Sequence, residues 1–91
     1  MEKVLIITYD LSSPGRNYEE LLKQIKSYPS WAKLCESSYL ITTPKTPVDV
    51  RDHLKSYIDN NDKIYVGVVV APAAWFGMSD SVSNWILKYV K

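Results

Sequence analysis

Seven stretches of the chain carry a strand-like or helix-like spacing of apolar positions. Val4-Leu5-Ile6-Ile7-Thr8-Tyr9 is rich in β-branched residues and apolar on both faces, which suits an interior strand, and it ends at Asp10. Ser13-Pro14-Gly15-Arg16 then sets Pro and Gly at the two central positions of a type II turn. The next segment predicts a helix. Asn17 can cap it with Glu20 as reciprocal partner, Tyr18, Leu21, Leu22, Ile25 and Tyr28 repeat at helical spacing, and Pro29 stops it.

Trp31 to Cys35 and Ser38 to Thr43, separated by Glu36-Ser37, predict an antiparallel hairpin. Thr46, Pro47 and Asp49 mark the start of a second helix with the stripe Val50, Leu54, Tyr57 and Ile58. After the polar turn Asp59-Asn60-Asn61-Asp62, Ile64, Val66, Val68 and Val70 alternate with Tyr65, Gly67 and Val69 along a fourth strand. Ala71-Pro72-Ala73-Ala74-Trp75-Phe76-Gly77 is too rich in Pro, Ala and Gly to continue it and reads as a loop bearing two large aromatics. Ser79 caps a last helix with the stripe Val82, Trp85, Ile86, Tyr89 and Val90.

The order is therefore βαββαβ with an additional C-terminal helix, an α+β fold in which two crossover helices lie on one face of a four-stranded sheet. The other face needs a cover from the third helix, a second subunit, or both, and a homodimer is expected. The 91 residues predict one domain, with a core over about 1–70 and the loop and last helix over 71–91. At 46% hydrophobic and 23% charged the composition is that of a globular chain. Seven Tyr and three Trp exceed what so small an interior hides, so some should face a surface or an interface.

Eleven basic against ten acidic residues leave a net charge of +1, so any binding of RNA or DNA must be local. The lone Cys35 forms no internal disulfide, and no secretory apolar region follows Met1; a cytoplasmic location is expected. No apolar stretch approaches the roughly 20 residues that span a bilayer, so no membrane partner is expected.

The motifs of P-loops, dinucleotide folds, zinc sites and serine hydrolases are absent. His53, beside Asp52, reads as a residue at the border of an apolar stripe, and Cys35 as a small buried apolar side chain rather than a nucleophile. Asp10 is the most suggestive residue, because the end of a rigid strand positions a carboxylate while the following loop exposes it. Either it bonds to the turn, or a twofold axis pairs two copies around a hard cation such as Mg²⁺. Ser12, Ser13, Gly15 and Arg16 lead into a helix N-terminus, where an anion such as phosphate is favoured.

Val4 to Leu11, Glu36-Ser37-Ser38-Tyr39-Leu40-Ile41 and the strand after Asp62 resemble the small ferredoxin-like proteins that include the CRISPR-associated spacer-acquisition subunit and the VapD-type toxin ribonucleases. The nearest likeness is to their uncharacterised SinR-like branch. The resemblance implies a ferredoxin-like βαββαβ homodimer and a Mg²⁺-dependent endoribonuclease site in which Asp10 is the metal ligand, aided by Arg16 and Ser38. It spans about the first 70 residues; where those proteins carry a fifth strand, this chain has Trp75-Phe76 and a helix. Two other functions fit the same pattern: a non-catalytic dimeric scaffold or nucleic-acid-binding module, and a small-molecule-binding domain with a pocket near Trp31, Trp75 or Phe76.

Overall fold

The computed structural model describes residues 2–12 and 18–91. Its strands are β1 (Lys3–Asp10), β2 (Ser30–Cys35), β3 (Ser38–Thr43) and β4 (Lys63–Val69), and its helices α1 (Glu19–Ile25), α2 (Pro47–Lys55) and α3 (Asp80–Tyr89). The sheet order is β2-β3-β1-β4 with every neighbouring pair antiparallel. The strand apolar on both faces thus takes an interior place. In β1, Leu5 and Ile7 are fully buried under α1 and α2, while Val4 and Ile6 meet α3 on the opposite side.

The two faces hold separate clusters. Leu5, Ile7, Tyr39 and Ile41 of the sheet pack against Leu21 and Ile25 of α1 and Val50 and Leu54 of α2. Each such side chain contributes about 1.5–3 kcal/mol on burial. On the second face Val4 and Leu40 pack against Ile86 and Val90, with Trp75, Val82 and Trp85 around them. The third helix therefore supplies cover for part of the second face. Two indole bonds fasten it there: Trp85 Nε1 donates to Ser30 Oγ at 2.8 Å and Trp75 Nε1 to Ser83 Oγ at 3.0 Å.

Helix α2 begins with a reciprocal cap. The Thr46 hydroxyl accepts from the Asp49 N–H at 3.2 Å, and the Asp49 carboxylate accepts from the Thr46 N–H at 3.2 Å. Ser79 caps α3 by accepting from the Val82 N–H. Both helices before the turns are shorter than their stripes suggest. Helix α1 ends at Ile25, ahead of Pro29, because the Tyr28 N–H turns back to the Ile25 carbonyl. Helix α2 ends at Lys55, with Tyr57 N–H on the Leu54 carbonyl. Tyr28, Tyr57 and Ile58 still reach the core from these turns. The turn Ser13-Pro14-Gly15-Arg16 and the cap Asn17 lie outside the described residues. Among the described residues no helix is long and apolar enough to cross a membrane.

Candidate functional site

Helix α3 covers only part of the second face. Beyond it, register aligns Ser38 with Thr8 and Thr8 with Tyr65 across three strands, and Asp10 with Lys63 one step further along. Directly opposed residues of antiparallel strands point to the same side, so these five side chains share one corner of that face. The Ser38 hydroxyl donates to Thr8 Oγ1 at 2.9 Å. Tyr65 is 64% exposed, and its ring lies along the sheet over Gly67, where an added Cβ would meet the ring at 3.0 Å. Gly67 thus gives the tyrosine its place. Lys63 and Asp10 are exposed.

Asp10 sits at the end of β1, as its place in the sequence suggests, but the donors of Ser12 just after it go elsewhere. Asp62 takes them. Its carboxylate accepts from the Ser12 N–H at 2.8 Å, the Ser12 hydroxyl at 3.0 Å, the Tyr18 hydroxyl at 3.1 Å and the Asp59 N–H at 2.8 Å. The Asp59 N–H first, followed by the donors of Ser12 and Tyr18, lowers its pKa from 3.8 to about 2. Register explains the assignment: with Asp10 opposite Lys63, the residue before Lys63 falls beside the chain leaving β1. Pairing between strands so distant is not written in local spacing, and Asp62 read only as part of a polar turn.

Comparison with family models, with curated proteins and with solved structures finds no match. The site is therefore read from its own chemistry. Arg16 lies outside the described residues, and so do Ser13 and Gly15 of the anion site. Ser12, its remaining member, gives both its N–H and its hydroxyl to Asp62, a carboxylate that opposes a neighbouring anion. Ser38 and Asp10 share the sheet corner, yet among the described residues a single chain presents there one carboxylate, beside Lys63, the Tyr65 phenol and the Ser38 and Thr8 hydroxyls bonded to each other. Among the described residues no group of three or more His, Cys, Asp or Glu could hold a metal. Mg²⁺ demands near-octahedral oxygen coordination, so these residues alone do not fit it.

His53 is bonded through both ring nitrogens. Tyr28 OH lies 2.7 Å from Nδ1 and Gln24 Oε1 lies 3.0 Å from Nε2, so the neutral ring accepts from the tyrosine and donates to the glutamine. The ring also meets Tyr57 edge-on at 5.9 Å. His53 thus ties α1 to α2, in keeping with the stripe-border reading. Burial, with a smaller effect of Asp49, raises the Tyr28 phenol above its ordinary pKa. Cys35 is exposed rather than buried, because the β2–β3 register slips between Lys33 and Cys35.

A separate apolar groove of ≈ 250 Å³ lies between the sheet and the loop before α3, walled by Ile6, Leu40, Trp75 and Met78. Phe76, 97% exposed, stands at its lip. Trp31 belongs to the other face, against Tyr39 with Lys26 Nζ 5.0 Å from its ring.

Proposed function

We propose that the chain is a non-catalytic, ferredoxin-like homodimeric module that binds single-stranded RNA on the open corner of its sheet. The strand order β2-β3-β1-β4, with β3 between β1 and β2 and β1 between β3 and β4, supports the ferredoxin-like assignment. The observation that carries the function is the row Ser38–Thr8–Tyr65 with Lys63 beside it: an exposed ring flat on a sheet, flanked by a cation and hydroxyls. An exposed aromatic offers a stacking platform for a base of any sequence, and the lysine offers a contact to phosphate. Asp10 borders this surface and limits its affinity for long polyanions, in keeping with the net charge of +1.

Fluorescence anisotropy with a labelled single-stranded RNA at low salt tests this reading. Wild type is expected to bind, Tyr65→Ala to weaken binding about tenfold as stacking is lost, and Lys63→Gln to flatten the salt dependence. Equal affinity in all three proteins, or none in wild type, would refute it.

The alternative proposal is the nuclease that the resemblance implies, CRISPR-subunit-like or VapD-like, with Mg²⁺ on Asp10. What favours it is that the Asp10 carboxylate, exposed at the end of β1, makes no hydrogen bond or ion pair with any described residue. It needs ligands from outside this chain. RNA cleavage that requires Mg²⁺ and disappears in Asp10→Asn would displace the binding module in its favour.

A further inference from the structure

Strand β4 is an edge of the sheet, hydrogen-bonded to β1 on one side and, among the described residues, to no strand on the other. A free edge presents a row of unpaired N–H and C=O groups, and chains that remain single guard it with charge, proline or a bulge. The opposite edge, β2, is guarded in this way. It carries the exposed Lys33, its register slips between Lys33 and Cys35, and Trp85 binds Ser30 at its start. Strand β4 carries one such charge, the exposed Lys63 at its first residue, and nothing beyond it. After Lys63 no charged residue occurs before Asp80, the strand holds no proline, and its register with β1 runs unbroken from Lys63 to Val69. Tyr65, Val68 and Val70, the exposed large apolar side chains on and just beyond it, are 64%, 54% and 62% exposed.

We infer that β4 pairs antiparallel with β4 of a second copy of this chain, about a twofold axis normal to the sheet, so that the two sheets become one. The strand is complementary to itself, which is why the occupant is a second copy. A pair centred on Val66 sets Tyr65 opposite the partner's Gly67 and Lys63 opposite the partner's Val69. The only charge on the strand then never faces its own copy, and the largest side chain falls opposite the residue that has none. An axis normal to the sheet keeps α1 and α2 of both copies on one side and α3 of both on the other. The free edge stops just past the strand, where the Ala71 N–H donates to the Lys91 carbonyl at 3.1 Å.

This pairing deepens the homodimer reading above and bears on Asp10. Each Asp10 lies one strand in from the seam, level with its own Lys63. The two lysines sit at opposite ends of the paired strands. With ~3.4 Å per residue along a strand and ~4.8 Å between strands, the two Asp10 carboxylates are roughly 25 Å apart, far beyond the reach of a shared cation. The edge dimer and a paired Asp10 site exclude each other.

Sedimentation velocity of the full chain over a range of concentrations, together with cysteine cross-linking, decides the matter. Wild type is expected to dimerise, and the double substitution Val68→Lys with Val70→Lys to raise the dissociation constant about tenfold or more, with an unchanged circular dichroism spectrum. In a Cys35→Ser background, Val66→Cys is expected to cross-link on mild oxidation. Val48→Cys, exposed on α2, is the control and is not. A wild type that stays a monomer at high micromolar concentration overturns the inference. So does a dimer unaffected by the lysines, or one abolished by Phe76→Ser instead. Anisotropy on the same samples separates the two proposals, because an RNA-binding monomer refutes the dimer and leaves the RNA-binding surface, whereas a dimer that ignores RNA refutes that surface and leaves the edge pairing.

Discussion

Asp62 shows how much one side chain can organise. Four donors from three residues converge on it, two of those residues being the last and first described on either side of positions 13–17. Its folded pKa of about 2 lies below the ordinary 3.8, so it binds its proton less readily folded than unfolded. The stability it contributes is therefore complete above about pH 4 and is lost as pH falls through about 2. Melting curves of wild type and Asp62→Asn are expected to differ at pH 7 and to converge between pH 4 and 2; a gap that persists at pH 2 would contradict this account. Thr46 makes a smaller contribution. Thr46→Ala removes one half of a reciprocal cap and is expected to cost about 1 kcal/mol in urea unfolding, with an unchanged m-value.

Among the elements, α3 decides whether the sheet can exist in water. It buries Val4 and Leu40 from the side that α1 and α2 do not reach. Ile86→Ala is expected to destabilise the fold by about 2–5 kcal/mol, and a chain ending at Val70 to lose cooperative thermal unfolding. A truncated chain that melted as sharply as the intact one would make α3 an accessory. The strands, the hairpin and α3 were legible because period-2 and helical spacing are local properties of Val4–Tyr9, Ser38–Thr43 and Val82–Val90. The ends of α1 and α2 were not, because Tyr28 and Tyr57 keep the helical spacing of their apolar stripes after the backbone has turned. Cys35 escaped for a related reason: an alternation rule cannot foresee a slipped register.

For the whole molecule, the candidate site divides along the same line. Asp10 at the end of β1 could be anticipated from one strand, whereas Tyr65, Lys63 and Ser38 join it only through pairings between strands far apart in the chain. The metal question follows from that assembly. Among the described residues each corner has one carboxylate, and edge pairing as inferred above would hold the two corners apart, which would leave Mg²⁺ with no cage. Millimolar Mg²⁺ is therefore expected to shift the melting temperatures of wild type and Asp10→Asn equally. A shift confined to wild type would restore the cation to Asp10 and count against the edge dimer at once.

The interior position of β1 also bears on how the protein is made. β1 is synthesised before either of its neighbours, and Val4 must wait for Val69 before the pairing with β4 can close. At roughly 5–20 residues per second that wait is about 3 to 13 seconds, during which the β4 side of β1 has no partner. Nascent chains arrested before β4 is made are expected to be cut by protease within Val4–Tyr9, and those released after α3 to resist.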